Sequence, residues 1–372
     1  MTQYRTLVRK VSISPEKKTK QKDYLHKGQL PIIDQGQQLI GGYSDNLDLQ
    51  LSCNLPVIVF GDHTRAVKYV DFPFGAGADG IKVLEPAEGI YPKFLYYATQ
   101  YLVLRLEDRG YARHYQYIEK KELDIPTVPE QKSIVARIEE LFSELDNGVE
   151  TLRKTKQQLA VYRQAVLKDA FAHITDKKPI REMSSVVTSG SRGWAQYYSD
   201  HGAKFVRIGN LTRDRIQIDL SDMQYVDLPD GAEGKRTQLQ PNDVLVSITA
   251  DLGSIGLVPD DIGEAYVNQH IAMIRFNNPE QGEFMAWYLR SDYGQEDLLK
   301  NKRGGGKLGL GLDDIRDSRV PVVSDAEAIR IVESIEARLS VCDSIEKTVD
   351  TALQQAEAMR QSILKKAFEG RI

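Results

Sequence analysis

One nine-residue phrase is written twice in this chain. RQAVLKDAF occupies residues 163–171 and RQSILKKAF residues 360–368, about two hundred residues apart. Aligned on that phrase, IVARIEELFSELD (134–146) falls on IVESIEARLSVCD (331–343). The register holds without a gap, and 15 of 38 positions are identical. Solenoids repeat roughly every 20–50 residues, so this spacing is not a solenoid's. It makes the chain two halves, each ending in the same element.

That element reads as a long helix. Pro129 and Glu130 open the first copy, and proline is tolerated in a first helical turn because its missing N–H would have no partner there. Apolar or small residues recur at heptad spacing. They are Ile138, Leu141, Leu145, Leu152, Leu159, Tyr162 and Val166 in the first copy, and Ile335, Cys342, Ile345, Val349, Ala352, Ala356, Met359 and Ile363 in the second. Between them stand Glu, Lys, Gln and Arg, all strong helix formers. At 1.5 Å per residue, some 40 residues give a rod of about 60 Å. Neither amphipathic helix buries its stripe alone. The spacing therefore predicts that the copies pair as an intrachain antiparallel coiled coil; ordinary core helices of a helical domain are the plainer alternative. Gly148, Asp169, Arg338 and Lys366 fall on the seam, where a bend, a splay or another subunit is expected.

Each long helix follows a mixed, strand-rich segment. LPIIDQG, NLPVIVFGD and RAVKYVDFPF in the first half are short β-branched runs punctuated by Gly, Pro and Asn. AKFVRIGNL, RIQIDL, NDVLVSITADLGSIGLV and AMIRF do the same in the second. One amphipathic helix closes each segment: PKFLYYATQYLVLRL, then GEFMAWYLRSDYG. A polar stretch follows, RGYARHYQYI or KNKRGGGKLGLGL, and then a short proline-bearing strand, DIPTVP or RVPVVS. The expected fold is α+β: two mixed α/β domains separated by two long antiparallel helices. The boundaries are 1–127 for the first domain, 128–174 for the first helix, 175–323 for the second domain and 324–372 for the second helix. TDKKP (175–179) is the linker between halves.

Composition narrows the function. The 372 residues are 41% hydrophobic, enough for two domain cores. A net charge of −4 excludes a global basic field, so any nucleic-acid binding needs local patches. Two cysteines, Cys53 and Cys342, are too few for a disulfide framework and fit a reducing cytoplasm. No apolar run approaches the roughly 18 residues of a membrane span, so no membrane partner is expected. The six histidines show no metal-ligand spacing, and no G-x-S-x-G elbow occurs. FGAGADG (74–80) leads into a strand rather than into the helix that would receive a phosphate, and RGGGKLGLG lacks the P-loop frame. GDHTR (61–65) reads either as an acid–base cluster or as a binding loop on a hairpin tip. These features predict a chain that is not an enzyme by itself and carries neither cofactor nor metal.

The proline-bearing strand before each long helix, the repeated IVxxIE and the RQ-x-[VI]-LKxAF ending resemble the specificity subunit of type I restriction–modification systems. SGSRGWAQYYSDHGAKFVRIGNL, opening the second domain, is similar to one class of target-recognition domain; the first domain has no clear counterpart of it. The resemblance covers nearly the whole length. It implies two target-recognition domains reading the halves of a bipartite double-stranded DNA target, with the paired helices as a ruler. It also implies a dock for two copies of a methyltransferase subunit, which would bind adenosylmethionine and methylate adenine N6. A motor-nuclease restriction subunit is a further implied partner. On that reading the phrase is written twice because two copies of one partner are held. A scaffold tethering two protein-binding domains, and an enzyme carrying its own methylation or cleavage chemistry, are the competing readings.

On the resemblance, Lys17, Lys18, Lys20 and Lys22 in the basic N-terminal stretch are expected at phosphates, where they give affinity and salt dependence rather than sequence choice. Base reading is expected from polar side chains on glycine-bearing loops, where the backbone approaches a groove. In the first domain these are Gln35, Gln37, Arg65, Arg113 and Gln116, with His63 and His114 beside them. In the second they are Ser189, Ser191, Arg192, Asn210 and Arg303, with Trp194, Lys302 and Lys307 as neighbours that brace or grip.

Overall fold

A computed structural model of the chain describes residues 1–371 except 79, 108–109, 111, 191, 230–234 and 301–308. It divides into two compact units, Met1–Arg153 with Asp350–Ile372, and Lys154–Val349. Each unit holds one globular domain together with part of each long helix.

In the first unit two four-stranded sheets carry the domain. The antiparallel one runs Val8–Val11, Ile81–Pro86, Val57–Gly61, Val67–Val70 across its width. The mixed one runs Lys18–Thr19, Gly75–Gly77, Leu30–Ile33, Gly42–Ser44, with its first three strands parallel. Val57 to Phe60 are all buried, as an uninterrupted β-branched run requires. The second unit repeats the plan. Ser184–Ser189, Ile271–Phe276, Val244–Ser247 and Ile255–Leu257 form the antiparallel sheet in the corresponding order. The mixed sheet again joins a parallel pair, Ala203–Val206 with Ala265–Val267, to an antiparallel neighbour, Gln224–Val226. Only the edge strand changes sides. Lys18–Thr19 borders the parallel pair, whereas Tyr198–Ser199 borders Gln224–Val226. Tyr198–Ser199 lies within the segment opening the second domain that has no clear sequence counterpart in the first.

The helix PKFLYYATQYLVL spans Pro92–Leu104, close to the expected element. Its counterpart breaks in two, Gly282–Arg290 and Asp292–Leu299. Ser291 is the reason: its hydroxyl accepts the Gly294 N–H at 3.4 Å and so caps a new helix rather than continuing the old one. RVPVVS contains the strand Arg319–Pro321. In the first half the strand precedes the proline, at Glu122–Leu123, and DIPT is irregular.

The long helices run Val128–Phe171 and Asp325–Phe368, 44 residues each and so about 66 Å. Thr127 starts the first, giving its N–H and hydroxyl to the Glu130 carboxylate at 2.8 and 2.7 Å. Ser324 caps the second through the Glu327 N–H at 3.3 Å. Within each unit the helices lie antiparallel. Arg163 reaches Asp343 at 2.5 Å and Glu346 at 3.0 Å, and Asp169, six residues on, meets Arg338 at 2.8 Å. In the other unit Arg360 pairs with Asp146 and lies 4.4 Å over the Phe142 ring. Ile138, Leu159, Val166, Ile335, Cys342, Val349 and Ala356 are buried, as the heptads predict, but Tyr162, Ile345 and Met359 are exposed.

The repeated phrase has a structural use inside the chain. Val166, Leu167 and Phe171 are buried in the second domain's core, and Phe171 meets Phe284 and Tyr288 edge-on at 5.6 and 5.4 Å. Leu364 and Ala367 are buried in the first domain's core, with Phe368 stacked on Tyr101 and tilted against Phe94, each at 5.2 Å. The apolar face of each phrase is thereby committed within its own unit. Its Arg meets the aspartate that the other helix copy carries at the equivalent position. The phrase is repeated at least because each domain needs one such plug.

Candidate nucleic-acid interface

Loops at one end of the first domain gather many of the residues expected to face DNA. Gly61 ends the strand Val57–Gly61, and a Cβ there would lie 2.3 Å from Thr64 Oγ1 and 3.0 Å from the Gln35 carbonyl, so only glycine permits the approach. Across it Thr64 donates its hydroxyl to Gln35 O, and Gln37 Nε2 donates to Thr64 O at 3.5 Å. Arg65 takes φ 62°, the left-handed conformation that turns the hairpin back. Asp62 is the anchor: it is 3% exposed, its carboxylate accepts the Tyr115 N–H at 2.9 Å, and its carbonyl accepts the His114 N–H at 2.8 Å. Its own N–H donates to Gly80 O at 2.6 Å, and Lys82 stands 3.4 Å from the carboxylate. His63, Arg65, Arg113 and Gln116 are thus carried on segments tied at Asp62, and Gln35 and Gln37 on one tied to Thr64 beside it. Lys68 is buried below, donating to Asp34 O at 2.8 Å; burial lowers its pKa, and Asp34 opposes that shift.

Gln37, Arg113 and Gln116 are exposed; Gln35, His63 and Arg65 are half-buried. His114 departs from expectation. It is 1% exposed, because its backbone is pulled onto Asp62, so its ring does not face a groove. Lys20 and Lys22 are exposed, while Lys18 is half-buried. Lys17 is half-buried too, its ammonium donating to the Asp48 and Gln50 carbonyls, so it holds a loop.

In the second domain the corresponding loops are built on close backbone contacts. Gly190, following Ser189, donates its N–H to Asn268 O at 3.2 Å, and a Cβ on it would lie 1.9 Å from Val267 O. Ser189 is half-buried and Arg192 exposed. Asn210 is a second correction. It is 4% exposed; Oδ1 accepts the Arg207 N–H at 2.8 Å, and Nδ2 donates to Asp219 O at 2.8 Å and Asp222 O at 3.2 Å. Its amide locks a turn and is not available to a base. Of the two roles expected of Trp194, bracing fits: it is buried, stacked on Phe205 at 5.5 Å and edge-on to Tyr266 at 5.4 Å, and holds the loop from inside. Ser191, Lys302, Arg303 and Lys307 lie outside the described residues.

Two groups escaped the sequence reading. Asp251 takes a two-point contact from Arg213, with Nε at 3.0 and 3.2 Å from its two oxygens, and accepts Ser254 Oγ at 2.8 Å. The guanidinium holds that carboxyl below its usual pKa and fixes the SITADLG turn. Beside it, Asn268, Gln269 and His270 join the strands Ala265–Val267 and Ile271–Phe276. A cavity of about 350 Å³ opens there, lined by Arg207, Ile208, Gly209, Asn210, Asp219, Asp222, Asn268 and His270. The polar triplet between two buried strands was the available sequence signal.

Comparison with known proteins places this architecture. Residues 200–355 match the family described as the type I restriction modification DNA specificity domain. The type I restriction enzyme EcoBI specificity subunit of Escherichia coli is 26% identical over 284 residues, which is 67% of this chain and 58% of that protein. The EcoKI specificity subunit of Escherichia coli K12 is 25% identical over 272 residues, 67% of this chain and 57% of that one. The matched stretch therefore spans under three-fifths of these curated relatives. Among solved structures, a chain from work on complex assembly and conformational transition of the type I R-M system superposes with TM-score 0.69 at 15% identity, over 92% of each chain. The HsdS subunit from Thermoanaerobacter tengcongensis superposes with TM-score 0.55 at 14% identity, over 100% of this chain and 96% of that one, a likeness of fold. Two sheet-rich domains, an antiparallel helix pair and the match over residues 200–355 point one way: that stretch is similar to the type I restriction modification DNA specificity domain, and the chain resembles the specificity subunits of type I restriction enzymes.

Proposed function

We propose that this chain is the sequence-reading, non-catalytic subunit of a type I restriction–modification complex. Each domain reads one half of a bipartite double-stranded target, with residues 1–127 and 175–323 as the two readers. The observation that carries the reading is the duplicated plan: two domains of one topology, each plugged by a copy of one phrase on a long helix. Two readers of like build suit a split target, and the helices suit a fixed separation between half-sites, which on one face of B-DNA lie about 34 Å apart or a small multiple. The same duplication supports docking of two methyltransferase subunits, which would supply adenosylmethionine and the adenine-N6 chemistry; a motor-nuclease subunit would add restriction. Methylation requires the adenine out of the stack, so this chain's part is grip and register.

Lys20 and Lys22 are the phosphate contacts we favour, with Gln37, Arg65, Arg113 and Gln116 in one reader and Ser189 and Arg192 in the other. Their exposure or half-exposure on anchored loops supports these roles. The place of action is the cytoplasm, in keeping with Cys53 and Cys342 both being free thiols. Among the described residues no helix is long and apolar enough to cross a membrane.

The test is a map of N6-methyladenine in cells expressing this chain with its neighbouring methyltransferase, against cells lacking only this chain. A split motif with methylated adenine in both halves, present only with the chain, is the expected result. Co-purification of the two proteins with no change in methylation would replace this function with that of a scaffold.

A further inference from the structure

We propose that Gln269 is a specificity-determining residue of the second domain, and that it reads an adenine of its half-site through the major groove. The inference rests on the DNA-reading function proposed above and adds a residue and a base to it.

Gln269 sits at the middle of a three-residue connection whose base is fixed on both sides. Asn268 is 8% exposed; its N–H donates to Val206 O at 3.1 Å and its carbonyl accepts the Gly190 N–H at 3.2 Å. Its side-chain Oδ1 accepts the His270 N–H at 3.1 Å, and the His270 carbonyl accepts the Ile248 N–H at 2.9 Å. Nothing in that connection swings freely, so what it presents is held in place.

What it presents is an oriented amide. Gln269 Nε2 lies 2.9 Å from His270 Nε2, and His270 Nδ1 lies 2.8 Å from Thr249 Oγ1. An amide nitrogen only donates, so His270 Nε2 must accept. The proton of the neutral ring is then on Nδ1, where it donates to the Thr249 hydroxyl. With the amide nitrogen turned to His270, as the structure has it, the chain runs Gln269–His270–Thr249 and leaves Oε1 outside it. One N–H of the amide is committed; the other N–H and Oε1 are left side by side.

A free N–H beside a free carbonyl oxygen complements adenine's major-groove edge, where N7 accepts and N6 donates. Guanine offers two acceptors there and would leave Oε1 facing O6. Gln269 and His270 are both half-buried, a setting in which the contact is partly screened from water yet reachable. Arg207 lines the cavity that His270 and Asn268 also line, and stands 3.9 Å from Asp222. His270 is a positioning residue: it touches the amide and not the base.

The experiment is the same methylation map, repeated with Gln269→Ala, Gln269→Glu and His270→Ala in the full chain with its methyltransferase. With Gln269→Ala, discrimination for adenine at one position of one half-site falls about 10- to 100-fold, the range of a bidentate base contact. The other half-site stays unchanged and serves as the internal proof of folding. Gln269→Glu shifts that position towards cytosine, whose N4 amino group donates to a carboxylate. His270→Ala loosens the same position only. A wild-type motif that is unaltered in Gln269→Ala and Gln269→Glu would overturn the assignment while leaving the proposed function standing. Absence of any motif in the wild type would overturn both.

Discussion

Asn210 makes three good hydrogen bonds from a side chain that is 4% exposed, one accepted from Arg207 and two given to the carbonyls of Asp219 and Asp222. Removing the amide leaves one N–H and two carbonyls without it in a closed turn. Each such loss costs about 1–3 kcal/mol where water cannot enter. Asp219 and Asp222 are exposed, so water can replace the amide at their carbonyls, and Asn210→Ala is expected to destabilise the second unit by about 2–3 kcal/mol. Both tryptophans of the chain, Trp194 and Trp287, lie in that unit, so urea unfolding followed by intrinsic fluorescence reads it alone. An unchanged midpoint would show that the turn tolerates loss of its lock. The same amide illustrates how far single residues are legible from sequence. IGNL offers an asparagine next to a glycine, which describes a groove-reading loop and a locked turn equally well. Burial decides between them, and burial depends on where residues 219 and 222 return, nine and twelve residues downstream. His114 went the same way, drawn inside by Asp62. The exposure of Arg113 and Arg192 was easier to read, because polar residues near glycines on loops have few other places to go.

At the scale of elements, the long helices were legible nearly to their ends, since forty residues of periodic pattern and two cap signals leave little freedom. Their surroundings were less so. A periodic apolar stripe states that something covers it, not whether that is a helix or a domain. Here the domains take Val166, Phe171, Leu364 and part of Phe368, while Tyr162, Ile345 and Met359 stay exposed. One pseudo-equivalent pair shows how the copies diverged. In the first unit Lys93 on the helix Pro92–Leu104 meets Glu139 on the first long helix at 2.6 Å. Phe94 corresponds to Phe284 and Glu139 to Glu336, so the place of Lys93 is held by Glu283. A cation has become a carboxylate facing a carboxylate. Burial first, then Glu336, push the Glu283 pKa up to about 7 from an ordinary 4.5. The folded state then holds a proton that the unfolded state has lost between about pH 4.5 and 7, so stability falls as pH rises through that window. Glu283→Gln is expected to be more stable than the parent above pH 7. The gain is on the order of 1 kcal/mol, reduced from the full shift because the group is only half-buried, and it vanishes below about pH 5. Glu283→Lys should gain similarly by restoring the first unit's pairing. Fluorescence-monitored unfolding at pH 5 and pH 8 checks this; a gain equal at both pH values would sink the explanation.

Considered as a whole molecule, the chain is threaded so that each domain is closed by a helix end lying far from it in sequence or beyond its own linker. The first unit needs Asp350–Ile372, and the second is the continuous stretch Lys154–Val349. The closing side chains are the same two phenylalanines of the repeated phrase. Phe171 is 2% exposed among Phe284 and Tyr288, and Phe368 lies on Tyr101 and Phe94. Truncating a buried aromatic to alanine costs about 3–5 kcal/mol, and the half-exposed Phe368 should fall at or below the lower end. The two substitutions should part company by unit. Phe171→Ala is expected to lower the fluorescence midpoint, because both tryptophans sit in the unit it closes. Phe368→Ala should leave that midpoint largely in place while lowering an earlier transition seen by far-ultraviolet circular dichroism. Removing residues 360–372 should do the same more severely, since it also takes Leu364 and Ala367 from the core and Arg360 from Asp146. If Phe368→Ala moved the fluorescence transition as far as Phe171→Ala does, the two units would unfold as one, and the division of the chain into separately closed units would have to be given up. If they part as expected, each domain can change its loops without disturbing the other, which is the physical condition that the proposed pair of half-site specificities on one chain would need.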